Sequence, residues 1–324
     1  MILFSFGYKI LGIRKVGGFF MKNNDIDFYD STAIKSYNLD AAMKYQLNIL
    51  GTLDVFTRKH SENVANLTCR LCQYLHLNKS FTIYCTICAY LHDIGKSFIP
   101  ASILQKQGKL TEEEYNIMKT HTTIGYKICF EDLKLRPYIA GPVYHHEGLD
   151  GSGYPNGLTE KDIPLEGQII RVADEYDAIT SKRQYKSHVG ISETLKILIE
   201  NATPNPNINP KVGKINKKIV RCLLKVVIDD TEYEISQIYD YLSFLKEQIK
   251  RLKQIKNYYQ KMNSASNQKK KEYFLEGIKL LFHDGENIDN FLNVLKEYED
   301  ALQNRQLIID NLFEEVKKIK QLKL

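Results

Sequence analysis

Apolar residues recur at intervals of three and four along most of this chain, and no alternating apolar–polar run is long enough for a half-buried strand. Such spacing places apolar side chains on one face of an α-helix, which must then pack against other helices. We therefore predict an all-α fold. A length of 324 residues allows one large domain with its own core and a smaller appendage.

Caps and breakers indicate where the helices begin and end. Thr111, followed three residues later by Glu114, is a capping box and predicts a helix that runs towards His121. The stretch 201–214, rich in Pro and Asn, is predicted to be a loop. The other predicted helices of the main domain cover 38–60, 61–77, about 80–92, the segment before His145, the segment that contains Asp174, and 220–227, which would close the domain.

The apolar spacing continues in the C-terminal part of the chain, through Ile235, Ile238, Leu242, Leu245, Ile249 and Leu252. It covers about two and a half heptads, fewer than the three to four typical of a coiled coil. Residues 263–271 interrupt it, and the lysines at 269–271 are predicted to be a solvated linker before a second helical stretch over about 288–320. We predict that 229–324 forms a helical hairpin or coiled-coil extension, whose apolar seam would join two chains as a homodimer.

The N-terminal residues are apolar, but Lys9, Arg14 and Lys15 interrupt the run, so we expect neither a signal peptide nor a membrane span. Met21 is an alternative start of translation. We expect residues 1–40 to be a poorly ordered leader or a short helix, too short for a sensory domain. The main domain is then predicted to cover 41–228.

The charge of the chain is mildly basic, with a formal net charge of +6, and no compact block of Lys and Arg occurs in the first 200 residues. Such an excess suits an anionic ligand. It argues against a nucleic acid polymer as the partner.

Two CxxC pairs, Cys69–Cys72 and Cys85–Cys88, loosely match a four-cysteine zinc pattern. Zinc-binding pairs usually lie on tight turns, whereas both pairs here lie within helical apolar periodicity. We therefore interpret these cysteines as small buried apolar residues. Unpaired cysteines favour a reducing compartment, so we expect a cytoplasmic protein.

Imidazole and carboxylate side chains lie at several predicted helix ends that are far apart in the sequence. Nitrogen and carboxylate ligands without thiolate suit Fe, Mn, Zn or Ni at a hydrolytic site. A lone histidine is more often structural, so the prediction of a metal site depends on the whole set. The candidate ligands are His60, His92, Asp93, His121, His145, His146 and Asp174.

The order and spacing of five segments resemble the HD-GYP phosphodiesterases, a branch of the HD metal-dependent phosphohydrolases. The resemblance covers roughly residues 45–228. The segments are TRKHSENV (57–64), LHDIGKSFIP (91–100), MKTHTTIG (118–125), HHEGLDGSGYP (145–155) and VADEYDAITSKRQYK (172–186). The resemblance implies an HD-type helical bundle, two divalent metal ions, Fe or Mn, and hydrolysis of a cyclic dinucleotide, chiefly cyclic di-GMP, to pGpG and/or GMP.

The resemblance also assigns roles to residues. It implies that one ion is held by His60, His92, Asp93 and Asp174, and that Asp93 bridges to a second ion held by His121, His145 and His146. Phe56 stands where some family members have a glutamate for a third ion, so two ions are expected. Two ions about 3.5–4 Å apart can bind a bridging hydroxide at neutral pH and direct it at phosphorus.

The substrate contacts implied by the resemblance are cationic or aromatic. Lys96 would contact the scissile phosphate, where added positive charge stabilises the transition state, and it would act in catalysis together with Asp93. Arg183 and Lys186 would bind phosphate oxygens. Tyr154 would line the pocket for guanine or ribose, on a turn where Glu147 and Asp150 orient ligands or cap a helix rather than bind metal.

Two alternatives stay open. The substrate would be cyclic GMP-AMP within the same chemistry, or the protein would be a non-catalytic cyclic dinucleotide receptor that acts through the C-terminal helices. Three other histidines are set aside as structural or surface residues: His76, His188 and His283, the last despite its neighbour Asp284.

Overall fold

The computed structural model describes residues 55–180, 190–283 and 290–324. Within these ranges the regular secondary structure consists of α-helices and short 3-10 helices, and the only β-type pairing is two isolated bridges, Asp150 with Thr159 and Asn205 with Asn209. The predicted all-α class is confirmed. The predicted leader, residues 1–40, lies outside the described residues.

The described chain contributes to two compact units. The first unit ends at Ile228 and also includes Gln321–Leu324, whereas the second unit covers Asp229–Lys320. Helix α9 contributes residues to both units. The α-helices are α1 (Val55–Tyr74), α2 (Lys79–Leu91), α3 (Ala101–Leu104), α4 (Glu112–Lys119), α5 (His121–Glu131), α6 (Ala140–Tyr144), α7 (Leu165–Thr180), α8 (Ile191–Asn201), α9 (Lys217–Ser264), α10 (Gln268–Leu281) and α11 (Phe291–Gln321), and 3-10 helices cover Ile94–Phe98 and Arg136–Tyr138.

Helices α1 and α2 form part of the core of the first unit and carry both cysteine pairs. Cys69, Cys72, Cys85 and Cys88 are fully buried, and all six cysteines of the chain are buried and outside any disulfide. Burial among apolar neighbours raises the pKa of the Cys129 thiol to about 12, which keeps it protonated. The cysteines pack as small apolar residues, as the sequence indicated.

The capping box predicted at the start of α4 is present. The Thr111 hydroxyl accepts a hydrogen bond from the Glu114 amide at 3.2 Å, and the Glu114 carboxylate accepts one from the Thr111 amide at 2.7 Å. The helix ends at Lys119, however, and a new helix begins at His121 after Thr120. His121 therefore lies at a junction between two helices.

Three predicted boundaries are wrong. Helix α1 is continuous across the break predicted between residues 60 and 61, since neither Gly nor Pro interrupts it there. The predicted short helix 220–227 belongs to α9, whose 48 residues contain no Gly or Pro. The lysines at 269–271 are not a linker, because α10 begins at Gln268 with Asn267 as its cap, whose side chain accepts a hydrogen bond from the Lys270 amide.

The described residues of the second unit contain three helical segments rather than the two of the predicted hairpin. The expected apolar seam is present on α9, but it is buried within the chain itself. Ile249 and Leu252 of α9 pack in one cluster with Ile278 of α10 and Phe291 of α11, and Ile238 and Leu242 pack with Ile309. Four of the six residues expected to join two chains therefore already have partners in one chain.

None of the helices in the described ranges combines the length and the apolar character that a bilayer crossing requires.

Candidate metal centre

All seven predicted ligands lie in the first unit, mostly at helix ends. His92 caps the C-terminus of α2, Asp93 caps the following 3-10 helix, and His121 is the first residue of α5. His145 and His146 follow the end of α6, whereas His60 and Asp174 lie within α1 and α7. Six of the seven side chains are buried, and only His146 is partly exposed.

The close approach of two helix ends depends on Gly95. A Cβ atom at this position would lie 1.9 Å from the carbonyl oxygen of His121. Only glycine therefore lets the 3-10 helix after Asp93 contact the start of α5. This contact brings Asp93 and His121 into one cluster.

One group of ligands surrounds the Oδ2 atom of Asp93. The Nε2 atoms of His92 and His60 lie 3.2 Å and 3.7 Å from it. Asp174 joins this group, because its Oδ1 atom lies 3.0 Å from His60 Nε2 and 3.9 Å from His92 Nε2.

A second group surrounds the other oxygen of the same carboxylate. The Oδ1 atom of Asp93 lies 3.4 Å from His121 Nε2 and 3.8 Å from His145 Nε2. Asp93, His121, His145 and His146 each offer a ligand atom within 4.8 Å of the others. Asp93 therefore faces one group of imidazoles with each of its oxygens, which is the arrangement of a bridging carboxylate.

Backbone carbonyls set the orientation of three imidazoles. The Nδ1 atoms of His92, His121 and His145 lie 2.6, 2.7 and 2.9 Å from the carbonyl oxygens of Ala89, Met118 and Gly141. Because a carbonyl only accepts, each Nδ1 must carry the proton, and each Nε2 presents a lone pair to the centre. This is the tautomer that binds a metal ion through Nε2.

The buried polar atoms fit divalent cations. His121 Nε2 and His145 Nε2 lie 3.1 Å apart with both lone pairs turned inward, and His92 Nε2 and Asp93 Oδ1 have no hydrogen-bond partner. Buried acceptors that face one another are unfavourable unless a cation lies between them. The absence of thiolate suits first-row divalent metals. The cluster thus indicates divalent metal binding.

The protonation states of three imidazoles and of the Asp93 carboxylate agree with this interpretation. Burial lowers the pKa of His121 to about 4 and holds the pKa of His145 and of His146 well below its ordinary value. Burial acts to raise the pKa of Asp93, but its interactions with His92 and with the Lys96 ammonium group lower it well below its usual range. Neutral imidazoles beside an ionised carboxylate are the states that metal ions require.

His60 differs from the other imidazoles in its partners. Its Nδ1 atom lies 2.6 Å from the Oδ2 atom of Asp177, a residue that the sequence analysis did not identify. Burial disfavours the charged ring, but hydrogen bonds to Asp174 and Asp177 raise the pKa of His60 to about 9. Asp177 lies three residues after Asp174, on the same face of α7, and this spacing was the available signal.

His146 also differs, because its Nδ1 atom faces a cation. Arg171 Nη1 lies 3.2 Å from His146 Nδ1, and Arg171 Nε lies 3.4 Å from a carboxylate oxygen of Glu175. A guanidinium group only donates, so a neutral His146 carries its proton on Nε2. Arg171 and Glu175 were not identified from the sequence.

Glu147 shapes the turn that carries Tyr154. Its carboxylate is buried and accepts hydrogen bonds from the amides of Asn156 at 2.8 Å and Leu158 at 2.9 Å. The ring of Tyr154 stacks on His146, with centroids 4.6 Å apart. Glu147 thus anchors the turn rather than the metal ligands, and Asp150 accepts hydrogen bonds from Ser152.

The predicted phosphate contacts are only partly described. Lys96 lies beside the centre, with Nζ 2.5 Å from Asp93 Oδ2 and a side chain that is 18% exposed. Arg183 and Lys186 lie outside the described residues.

The HD domain family matches residues 44–210, about half of the chain. A cyclic di-GMP phosphodiesterase of Thermotoga maritima is 38% identical over 194 residues, which are 58% of this chain and 52% of that protein. The cyclic di-GMP phosphodiesterase PdeB of Borreliella burgdorferi is 36% identical over 182 residues, 56% of this chain and 48% of that protein. The 3'3'-cGAMP-specific phosphodiesterase 3 of Vibrio cholerae is 35% identical over 173 residues, 52% of this chain and 36% of that protein. The chain spans about half the length of these curated relatives, or less.

Proposed function

Because this chain belongs to the HD domain family, and within it to the HD-GYP type, we propose that it is a metal-dependent phosphodiesterase of cyclic dinucleotides. The substrate we propose is chiefly cyclic di-GMP, and the product pGpG and/or GMP. The single observation that carries the proposal is the position of Asp93, whose two oxygens face separate groups of imidazoles. The names of the relatives support the substrate class.

We assign two divalent ions, Fe or Mn, to the centre. When bound, they supply an activated water at neutral pH and offset the negative charge of the phosphate. The proposed ligands are His60, His92, Asp93 and Asp174 for one ion and Asp93, His121, His145 and His146 for the other.

The side chains around the centre have separate tasks in this proposal. Lys96 holds a positive charge beside Asp93, where it is available to a phosphate oxygen and stabilises the charge that develops during hydrolysis. His92, His121 and His145 each donate Nδ1–H to a backbone carbonyl, which leaves the Nε2 atom unprotonated and able to bind metal. Tyr154 forms one wall of the space over His146. Residues 41–228 form the catalytic domain, with Arg183 and Lys186 as further phosphate contacts.

The proposal is tested with protein purified under anaerobic conditions. Metal content is measured by mass spectrometry, and the products of cyclic di-GMP are identified by chromatography. The wild-type protein is expected to contain Fe or Mn and to open the ring. The D93N variant is the negative control, because it keeps the shape of the side chain but removes the charge of the proposed bridging carboxylate. It is expected to lose metal and activity. Metal-loaded wild-type protein that leaves both cyclic di-GMP and 3'3'-cGAMP intact would contradict the proposal.

A second substrate has support of its own. One of the relatives is named as specific for 3'3'-cGAMP. Comparison of kcat/KM for cyclic di-GMP and 3'3'-cGAMP on the same preparation decides between them. Tight binding of either nucleotide without turnover would favour a receptor that acts through residues 229–324.

We also propose that the second unit forms a homodimer. Since the seam on α9 is buried within the chain, the contact would use exposed apolar side chains, of which Tyr273, Leu280 and Leu307 are 71%, 84% and 61% exposed. Sedimentation equilibrium is expected to give a dimer that the L280D substitution weakens. A monomer at all concentrations would contradict this.

A further inference from the structure

Two residues of α4 border the proposed catalytic centre and have no role in it so far. Tyr115 and Lys119 are one helical turn apart and lie on the same face of α4. The ring of Tyr115 is 6.5 Å from the ring of Tyr154, in an edge-to-face arrangement. The Nζ atom of Lys119 lies 5.0 Å from the centroid of Tyr115.

These aromatic rings form a row that leads from a candidate ligand to solvent. Tyr154 stacks on His146 at 4.6 Å with an angle of 22° between the planes, and Tyr115 follows Tyr154. Tyr115 is the exposed end of the row, with 47% of its surface accessible. Such a half-exposed ring beside an anion-binding centre has a free surface on which another planar group can stack.

Helix α4 holds this row at a fixed place relative to the ligands. The carbonyl oxygen of Met118 accepts the hydrogen bond from His121 Nδ1, so the last turn of α4 orients a candidate ligand. The capping box fixes the first turn. Tyr115 and Lys119 lie between these two anchors, so their positions are set with that of His121.

The Lys119 ammonium group is available for a ligand. No carboxylate in the described ranges forms an ion pair with it, and its contact is with the ring of Tyr115. This contact is a cation–π interaction, which is weak at a partly exposed site. The long flexible stem of lysine lets the ammonium group move aside when another group stacks on the ring.

We propose that Tyr115 and Lys119 form a subsite for a guanine base of the substrate. The inference rests on the proposed function and names the base that this site recognises. A purine stacks on the free surface of Tyr115, as bases do on aromatic side chains of nucleotide-binding proteins. Lys119 then donates to O6 and N7 of guanine. Adenine presents an amino group in place of O6, and lysine, which only donates, has no partner there.

The test compares Y115A and K119M with the wild-type protein on cyclic di-GMP and cyclic di-AMP. For Y115A, KM for cyclic di-GMP is expected to rise about 5- to 150-fold, because stacking on one base is lost. For K119M, the ratio of kcat/KM for cyclic di-GMP to that for cyclic di-AMP is expected to fall about fivefold or more. K119R, which keeps a donor, is expected to restore most of the ratio.

Two controls separate this subsite from the metal centre and from general damage. Bis(p-nitrophenyl) phosphate has planar rings but no purine O6 or N7, so its hydrolysis is expected to stay within about twofold of wild type in K119M. Y126A removes another exposed ring, which stacks on Phe130 of α5, and is expected to leave both dinucleotides unaffected.

The outcomes distinguish the two proposals. Suppose the wild-type protein hydrolyses cyclic di-GMP, and Y115A and K119M show the same KM and the same ratio of kcat/KM values. That result would overturn the subsite and leave the proposed function intact. If the wild-type protein hydrolyses neither cyclic di-GMP nor 3'3'-cGAMP, the proposed function fails, and calorimetry of cyclic di-GMP binding to the same variants still tests the subsite. Equal affinity of wild type and Y115A in that titration would overturn it.

Discussion

The Nδ1 atom of His60 and the Oδ2 atom of Asp177 lie 2.6 Å apart, although 117 residues separate them in the sequence. The other oxygen of Asp177 accepts a hydrogen bond from Asn63 Nδ2 at 3.0 Å, so the carboxylate is fixed from two sides. It holds a proton on His60 Nδ1 and turns Nε2 towards Asp93 and Asp174. With a pKa of about 9, the ring also carries a proton on Nε2 at neutral pH, which a bound metal ion would replace. Asp177 thus positions a candidate ligand without belonging to the ligand set.

The D177N substitution is expected to raise the Kd for the ion on the His60 side by about 10- to 100-fold, because an amide no longer fixes the orientation and charge of the His60 ring. Titration of metal-depleted protein with Mn²⁺ measures this. D162N is the matched control, since Asp162 is exposed and its carboxylate accepts a hydrogen bond from the Thr159 hydroxyl, away from the candidate ligands. Equal Mn²⁺ affinities in D177N and wild type would show that Asp177 has no part in positioning His60.

The candidate ligands were identified from the motif, whereas Asp177 and Arg171 were not. Both lie one turn from Asp174 on α7, so helical spacing put them near the centre. Spacing alone does not say that the Asp177 carboxylate turns to His60, because that depends on how α1 packs against α7. The same holds for the guanidinium group of Arg171 at His146.

The two adjacent histidines are expected to differ in their contribution to metal binding. His145 presents a free Nε2 lone pair, whereas the Nδ1 atom of His146 accepts from Arg171 and leaves the proton on Nε2. H145A is therefore expected to lose about one ion per chain, and H146A to lose less. Metal content by mass spectrometry measures both, with the exposed H283A as control. Equal losses of metal in H145A and H146A would mean that Arg171 does not determine the tautomer of His146.

The K96M substitution is expected to lower kcat by about 10²- to 10³-fold while the metal content stays unchanged. Lys96 contributes charge beside Asp93 rather than a ligand atom. Steady-state kinetics and metal analysis of the same sample check both parts. K127M, at an exposed lysine of α5, controls for a general change of charge. A K96M protein with wild-type kcat would remove Lys96 from the proposed mechanism.

The G95A substitution is expected to destabilise the first unit by about 3 kcal/mol, because the new methyl group would lie 1.9 Å from the His121 carbonyl oxygen and must push α5 away. Chemical unfolding with urea measures this. At Gly190 a Cβ atom would meet nothing within 4 Å, so G190A is expected to cost less than about 1 kcal/mol. If G95A unfolds at the same urea concentration as G190A, the helix ends do not touch as described.

The C-terminal helices show what apolar periodicity does not reveal. The spacing from Ile235 to Leu252 correctly marked the buried face of α9. It could not identify the partner of that face, since an intrachain helix and a second chain bury the same residues equally well. The partner is α10 and α11, and α10 was missed because its first turn consists of lysines after a polar segment. The length of α9 was predictable, because no Gly or Pro occurs in it.

Three of the imidazoles take their orientation from carbonyls only three or four residues upstream in their own chain segments. Each donor atom is therefore aimed by local backbone and not by a distant side chain. Substitutions around the entrance to the centre that change nucleotide specificity can therefore accumulate without changing the orientation of these Nε2 atoms. In such a scaffold, substrate specificity can evolve while the geometry of the metal ligands is preserved.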